Sequence, residues 1–200
     1  MEYIIIIIST VFVNNIVLTQ FLGICPFLGV SNKLSTAVGM SGAIIFVMAI
    51  ATTFTYLLQY YLLLPLGIGF MQTVTFIVVI ASLVQIVEII LKKASPSLHK
   101  ALGIFLPLMA TNCAVLGTAI IVVSKKIAFG GGEAQMLNLV ESIVYATGMG
   151  LGVGVAMVIF AGIREQLELN DIPKLFKGAP IALITAGILA MAFMGFSGLV

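Results

Sequence analysis

Long runs of hydrophobic residues alternate with short polar segments along the whole chain. A helix needs about 20 apolar residues to cross the hydrocarbon core of a bilayer. The runs that meet this requirement give six predicted spans, at residues 3–22, 37–58, 72–91, 101–123, 139–163 and 179–199. Because the segments between them leave no room for a soluble domain, the pattern predicts a single all-α integral membrane domain over residues 1–200.

Composition supports the same fold class. Hydrophobic residues make up 62% of the chain, charged residues make up 8% and the mean hydropathy is +1.27. Soluble domains are roughly 45–50% apolar and about 25% charged. The net charge of +2 is too small to indicate nucleic acid as a partner. Glu2 and the length of the first apolar run argue against a cleaved signal peptide, so the first run is expected to be a retained span.

The distribution of Lys and Arg predicts the orientation. Cytoplasmic connections carry an excess of both residues. The first, third and fifth predicted connections hold seven of the nine: Lys33, Lys92, Lys93, Lys100, Arg164, Lys174 and Lys177. Lys125 and Lys126 are the two on the opposite side. We therefore expect both termini on the extracytoplasmic side of the membrane.

A short internal repeat relates the two halves of the chain. The string Cys-Pro-Phe-Leu-Gly at residues 25–29 matches Cys-Ala-Val-Leu-Gly at residues 113–117, with Cys, Leu and Gly in the same positions. Each copy accompanies the first span of a three-span half. Because each half crosses the membrane an odd number of times, the second half starts from the opposite side. The halves, about 1–94 and 95–200, are therefore predicted to be inverted repeats related by a pseudo-twofold axis in the membrane plane.

Helix-breaking residues surround both cysteines. Gly23 and Pro26 flank Cys25, while Pro107 and the pair at residues 111–112 precede Cys113. Proline removes a backbone donor and glycine adds conformational freedom. The first and fourth spans are thus expected to be interrupted helices, which persist in a membrane only when they are buried in protein or line a cavity.

The two cysteines admit three interpretations. Free cysteine often packs as a small hydrophobe, and a disulfide between Cys25 and Cys113 is geometrically conceivable. Two thiolates cannot fill a tetrahedral zinc site. An iron–sulfur cluster needs four thiolates, so a chain that supplies two would need a second chain, either an identical copy or a sister subunit, to supply the others.

Several strings give the chain a resemblance to a known family. They lie at residues 13–18, 21–30, 106–117, 182–187 and 192–196, and the string Thr-Asn-Cys-Ala-Val-Leu-Gly at residues 111–117 is the most specific. On these residues, the chain resembles the RnfA family, also called RsxA. The resemblance runs from the first span to the end of the chain, with no departure at either cysteine.

This resemblance implies a membrane subunit of the Rnf complex, an ion-translocating ferredoxin:NAD oxidoreductase. Such a subunit is part of an enzyme complex and is not catalytic alone. Cys25 and Cys113 would match ligands of a 2Fe-2S cluster shared with the sister subunit RnfE in a pseudosymmetric heterodimer. Electrons would pass from ferredoxin through RnfB to the cluster and on to flavin in RnfG, coupled to Na⁺ or H⁺ translocation. RnfC and RnfD complete the implied set of partners, and the implied location is the bacterial or archaeal cytoplasmic (inner) membrane.

Other polar residues in the spans are weighed against structural roles. Asn112 is the candidate for hydrogen bonding to cluster sulfurs, since it precedes Cys113. Polar side chains within spans should face protein; these are Asn14, Asn15, Gln20, Gln85 and Asn112. Glu88 could be an ion site, but a pair with Lys92 or a position near the membrane surface is the simpler account.

Two absences limit the cofactors of this chain. Ile44 follows Ser-Gly-Ala at the position where related flavoprotein subunits carry the flavin-attachment threonine. A glycine-rich dinucleotide motif opening a helix after a strand is also missing. We therefore expect neither flavin nor NAD to be bound by this chain. The alternatives are the E subunit of the Na⁺-translocating NADH:quinone reductase, whose cysteine strings are similar, and a small secondary transporter.

Overall fold

The computed structural model describes residues 2–31, 34–67, 69–94, 106–124, 138–169, 173 and 178–195. Within these ranges the chain is helical and contains no β-strand. The helices are α1 (Glu2–Ile8), α2 (Ile24–Val30), α3 (Leu34–Leu58), α4 (Gln72–Ala94), α5 (Leu106–Ala110), α6 (Cys113–Ser124), α7 (Leu139–Glu168) and α8 (Ala179–Met194). Short helical turns extend α1 and α3 and precede α4: π-helix Ser9–Val13, π-helix Gln59–Leu63 with Leu64–Leu66, and 3₁₀-helix Gly69–Met71.

In the described part of the chain, three helical stretches are long and apolar enough to cross a membrane: Leu34–Leu63, Gly69–Ile90 and Leu139–Leu167. Three shorter apolar stretches are Ile4–Val13, Pro107–Val123 and Ala179–Met194. Each of the six lies largely within a different predicted span. The shorter stretches correspond to the first, fourth and sixth predicted spans, and the first and fourth are the ones that the sequence predicts to be interrupted.

Both interruptions are present, but the prolines do not cause them. Pro26 is the third residue of α2, and Pro107 is the second residue of α5. The first N–H groups of a helix have no intrahelical acceptor, so proline is tolerated there. The chain instead leaves helical geometry over residues 14–23 and at residues 111–112. The two prolines therefore begin helices rather than end them.

The end of the fifth predicted span differs from the expectation. The apolar run stops at Ile163, which places Arg164 in a connection, but α7 continues to Glu168. Residues 164–168 are Arg, Glu, Gln, Leu and Glu, all good helix formers. Hydropathy marks where a helix leaves the apolar phase, whereas helix propensity decides where the helix ends. Arg164 is thus a helical residue.

The long helix α7 is the centre of the fold. In the most apolar part of Leu139–Leu167, 61% of the residues are buried. The corresponding share for Gly69–Ile90, which includes most of α4, is 17%. A Cβ added at Gly150 would lie 3.0 Å from the Cα of Ile45, and one at Gly154 would lie 3.1 Å from the Cβ of Ser41. The contacts run in opposite directions along the two helices, so α3 and α7 are antiparallel and pack closely through glycine.

The opposite face of α7 packs against the first helix. A Cβ added at Gly152 would lie 3.2 Å from the carbonyl oxygen of Thr10 and 3.3 Å from the Cα of Val11. At Gly148, an added Cβ would overlap the Thr10 hydroxyl. Glycines at alternate positions of α7 therefore face α1 and α3 in turn, as small residues do at close helix interfaces.

Some predictions fall on residues outside the described ranges. These include the start of the fourth span at 101–105, the end of the sixth at 196–199 and the repeat boundary that follows residue 94. Six of the nine basic residues that predict orientation also lie outside the described ranges, namely Lys33, Lys100, Lys125, Lys126, Lys174 and Lys177.

The Gly152 contact predicts a stability effect. Changing Gly152 to Ala should lower the free energy of unfolding by about 1–3 kcal/mol, because the new methyl group meets the backbone of α1 and overpacks the interface. Thermal unfolding of the purified chain in detergent measures the change. Gly39→Ala in α3 is the matched control, since nothing lies within 4 Å of an added Cβ there. An unchanged midpoint for Gly152→Ala would contradict the close packing.

Candidate functional site

Cys25 lies at the start of a short helix. It is the second residue of α2, and its side chain is exposed. The chain enters α2 through two residues with left-handed backbone conformation, Phe21 with a φ of 56° and Gly23 with a φ of 85°. Glycine adopts this conformation at no steric cost, but a bulky residue such as phenylalanine is strained there. The surrounding structure must therefore hold this turn in place.

The side chain of Asn15 forms hydrogen bonds with backbone groups at the first interruption. The residue is fully buried, and its Nδ2 donates to the carbonyl oxygens of Val11 at 3.2 Å and Gly152 at 2.8 Å. Its Oδ1 accepts from the N–H groups of Val17 at 3.1 Å and Leu18 at 3.4 Å. One side chain thus supplies partners that the broken helix lacks and fixes the broken segment to α7.

Cys113 is the first residue of α6, and Asn112 caps that helix. The Oδ1 atom of Asn112 accepts a hydrogen bond from the N–H of Ala114 at 3.0 Å. Asparagine is among the preferred N-cap residues because its side-chain oxygen satisfies a free N–H of the first turn. Cys113 itself is half-buried. The two cysteines therefore occupy closely similar positions, each within the first two residues of a helix.

The two cysteine segments meet in the structure. The backbone N–H of Gly23 donates a hydrogen bond to the Sγ of Cys113 at 2.9 Å. A Cβ at Gly23 would lie 2.9 Å from the Cβ of Ala114 and 3.3 Å from the Oδ1 of Asn112. Cys25 follows Gly23 by two residues, which span at most about 7 Å. Residues separated by most of one half of the chain are thus brought into one neighbourhood.

Close packing beside this contact extends along α6. A Cβ added at Gly117 would lie 2.8 Å from the Cδ1 of Leu22 and 3.7 Å from the Cδ1 of Ile16. The glycine that ends the repeated string at residues 113–117 therefore makes room for the segment that leads to α2. Its counterpart Gly29 has nothing within 4 Å of an added Cβ. The two copies of the repeat are not equivalent in their packing.

The side-chain amide of Asn112 has an unused donor. The residue is 3% exposed, and its Nδ2 has no hydrogen-bond partner. Leaving a buried donor unsatisfied costs about 1–3 kcal/mol. The amide belongs to the N-cap residue of α6, which directly precedes Cys113 in the chain. Its free N–H groups fit an acceptor that the described part of the chain does not provide.

The two thiols are the candidate metal ligands at this site. Among the described residues, no three His, Cys, Asp or Glu side chains come together as a metal site. Both cysteines are free thiols. The exposure of Cys25 does not fit the interpretation that it packs as a small core hydrophobe, since free cysteine of that kind is buried. Two thiolates give at most half of a four-thiolate set.

Two of the five polar residues that the sequence places in spans face protein within this chain. Asn15 and Asn112 are buried, as expected. Asn14, Gln20 and Gln85 are exposed, because each lies on a face that this chain does not cover. Their polar groups need a partner other than lipid tails.

The acidic residues have simpler roles. Glu141 completes a capping box at the start of α7, accepting a hydrogen bond from the N–H of Asn138 at 2.9 Å. Glu88 is half-buried on α4. In the described part of the chain it makes no ion pair with Lys92, so the expected pair at this spacing is not formed.

Sequence reasoning missed the contribution of the backbone to the site. The sequence predicts Gly23 only as a helix breaker, whereas its N–H is the group that contacts the sulfur of Cys113. A glycine immediately before a helix whose second residue is cysteine was the available signal. The identity of the acceptor, 90 residues away along the chain, had no signal in a single sequence.

Comparison with known proteins agrees with this architecture. A family described as Rnf-Nqr subunit, membrane protein, matches residues 3–200. The A subunit of the Na⁺-translocating ferredoxin:NAD⁺ oxidoreductase complex of Acetobacterium woodii is 54% identical over 199 residues, which cover 100% of this chain and 98% of the relative. The A subunit of an ion-translocating oxidoreductase complex from Pasteurella multocida is 50% identical with the same coverage.

A third relative supports the same assignment. The A subunit of the ion-translocating oxidoreductase complex of Syntrophotalea carbinolica is 52% identical over 195 residues, covering 98% of this chain and 96% of the relative. Whole-length similarity at this level leaves no segment of the chain unaccounted for. The chain belongs to the Rnf-Nqr family of membrane protein subunits.

Proposed function

We propose that this chain is an electron-transfer subunit of an Rnf-type ion-translocating oxidoreductase complex. In this role Cys25 and Cys113 supply two of the four thiolate ligands of a 2Fe-2S cluster. The observation that carries the proposal is the contact of the Gly23 N–H with the Cys113 sulfur, at 2.9 Å, directly beside the exposed Cys25. Relatives named as the A subunits of such complexes supply the functional context.

The partner that completes the ligand set is a second membrane chain. Four thiolates are needed and this chain contains two cysteines. Gln20 and Thr111 are exposed and lie near the cysteines in sequence. Polar side chains within an apolar span favour contact with protein over contact with lipid. A sister subunit, RnfE, fits both requirements by covering the polar face and adding two thiolates.

The groups of this chain hold and tune the cluster. The Gly23 N–H already donates to one ligand sulfur, and the free amide of Asn112 is the second donor. Hydrogen bonds to ligand sulfurs raise the reduction potential of iron–sulfur centres, because they stabilise the more negative reduced state. When bound, the cluster supplies a one-electron carrier within the membrane, between RnfB on the ferredoxin side and flavin in RnfG.

The membrane arrangement is six spans in two inverted halves, with both termini on the extracytoplasmic side of the inner membrane. Six apolar helical stretches support this arrangement. The antiparallel packing of α3 and α7 supports it too. Arg164 reaches Ser31, so the C-terminal part of α7 and the end of α2 lie at the same end of the molecule. Electron transfer is coupled to movement of Na⁺ or H⁺ in the complete complex, with RnfC and RnfD as further subunits.

Two other functions are less well supported. The E subunit of the Na⁺-translocating NADH:quinone reductase shares the cysteine strings, but the relatives described above are named as A subunits. A small secondary transporter also has interrupted helices. A transporter function does not explain why an exposed thiol lies near a buried, unpaired amide.

Replacing either cysteine tests the cluster. Cys25→Ser or Cys113→Ser should abolish the paramagnetic signal of the reduced membrane centre and ferredoxin-dependent NAD⁺ reduction, because a hydroxyl is a poor substitute for a thiolate ligand. The measurements are iron and sulfide content and electron paramagnetic resonance on the anaerobically purified complex.

Gly162→Ala is the control, since nothing lies within 4 Å of an added Cβ and both thiols remain. A wild-type complex without iron beyond that of its soluble subunits would overturn the proposal. Uptake of a solute by the chain alone, unaffected by loss of both thiols, would favour the transporter instead.

Asn112 variants test the tuning. Asn112→Ser keeps an oxygen that can cap α6 but removes the free amide. The reduction potential of the cluster should therefore fall by tens of millivolts, which is the shift that corresponds to the loss of one hydrogen bond. Redox titration followed by electron paramagnetic resonance measures the potential. Asn112→Ala also loses the cap, which should cost about 1 kcal/mol of stability in addition. Equal potentials in wild type and Asn112→Ser would exclude amide donation to the cluster.

A further inference from the structure

The helix that carries Cys25 is too short to hold its own position. It has seven residues, whereas isolated helices below about 12–15 residues are marginal even with favourable sequences. Its orientation therefore depends on what its two ends contact. At the start, the Gly23 N–H is bound to the Cys113 sulfur. The contacts at the other end decide whether Cys25 is fixed.

Arg164 makes the contact at the other end. Its Nη1 donates to the carbonyl oxygen of Leu28 at 2.8 Å and to the Oγ of Ser31 at 3.2 Å. The Leu28 carbonyl is among the last four of α2, which have no intrahelical donor. Ser31 is fully buried. A cation at this position also interacts favourably with the negative end of the helix dipole.

Aromatic packing completes the attachment. Phe27 of α2 stacks on Phe160 of α7, with ring centroids 4.3 Å apart and planes at 23°. The Cζ atom of Arg164 lies 6.0 Å from the centre of the Phe160 ring. Phe160 and Arg164 are four residues apart on one helix, so ring and guanidinium form one surface. Phe27 is the second residue after Cys25.

We infer that Arg164 is a positioning residue for Cys25. It clamps the end of α2 to α7 and so fixes the direction in which the thiol faces the partner chain. The inference rests on the proposed function in so far as Cys25 is a cluster ligand. The sequence predicts Arg164 only as a cytoplasmic charge that sets orientation. Its two directed hydrogen bonds into α2 are more than orientation requires, and a planar guanidinium beside an aromatic ring is not equivalent to lysine.

The test uses a nitroxide on Cys25 of the full-length Cys113→Ser chain in lipid nanodiscs, where no cluster is present. Arg164→Gln should mobilise the label, with the detached population of α2 rising roughly tenfold, because a hydrogen bond from a charged donor is lost. Arg164→Lys keeps the charge that orients the chain and should restore part of the ordering. Glu165→Gln changes an exposed neighbour and should leave the spectrum unchanged.

A second readout comes from the intact complex. Arg164→Gln and Arg164→Lys should lower the iron content of the membrane chains or alter the shape of their paramagnetic signal, with Lys the milder change. Unchanged label mobility in Arg164→Gln would overturn the inference, even where the wild-type complex contains iron. Absence of iron from the wild-type membrane chains would overturn the proposed function, while the label experiment still decides whether Arg164 orders α2.

Discussion

A helix that is interrupted inside a bilayer leaves backbone N–H and C=O groups that lipid cannot satisfy. The arrangement of this molecule depends on how those groups are paired. Asn15 supplies partners before and within the first interruption, and Asn112 caps the helix after the second. A further donor, the Gly23 N–H, is paired with the sulfur of Cys113. The need to satisfy the backbone thus places one half of the chain against a thiol of the other.

The central helix α7 provides the frame for this pairing. The Gly152 carbonyl accepts from Asn15, so the first interruption is fixed to α7 near its middle. Phe160 and Arg164 hold α2 closer to the end of the same helix. The segment that carries Cys25 is therefore bound to α7 at two positions along that helix. Close approach at Gly152 brings the first of these attachments near to α7.

Sequence patterns predicted the helices much better than the contacts between them. The starts of α4, α7 and α8 were predicted correctly, because long apolar runs and the residues that end them are local signals. The end of α7 was wrong, since hydropathy does not report helix propensity at Arg164. The prolines were also misread, because a proline in the first turn and a proline in a helix interior look alike until the start of the helix is known.

Asn15 and Asn112 show where single-sequence reasoning stops. Both are buried asparagines at helix interruptions, and both were expected to face protein. Asn15 uses its full amide within the chain, whereas the Nδ2 of Asn112 has no partner. An unpaired buried amide lowers stability, and a fold retains it more readily when an external acceptor offsets the cost. The incomplete bonding of Asn112 therefore points, independently of the number of cysteines, to an acceptor outside the described part of the chain.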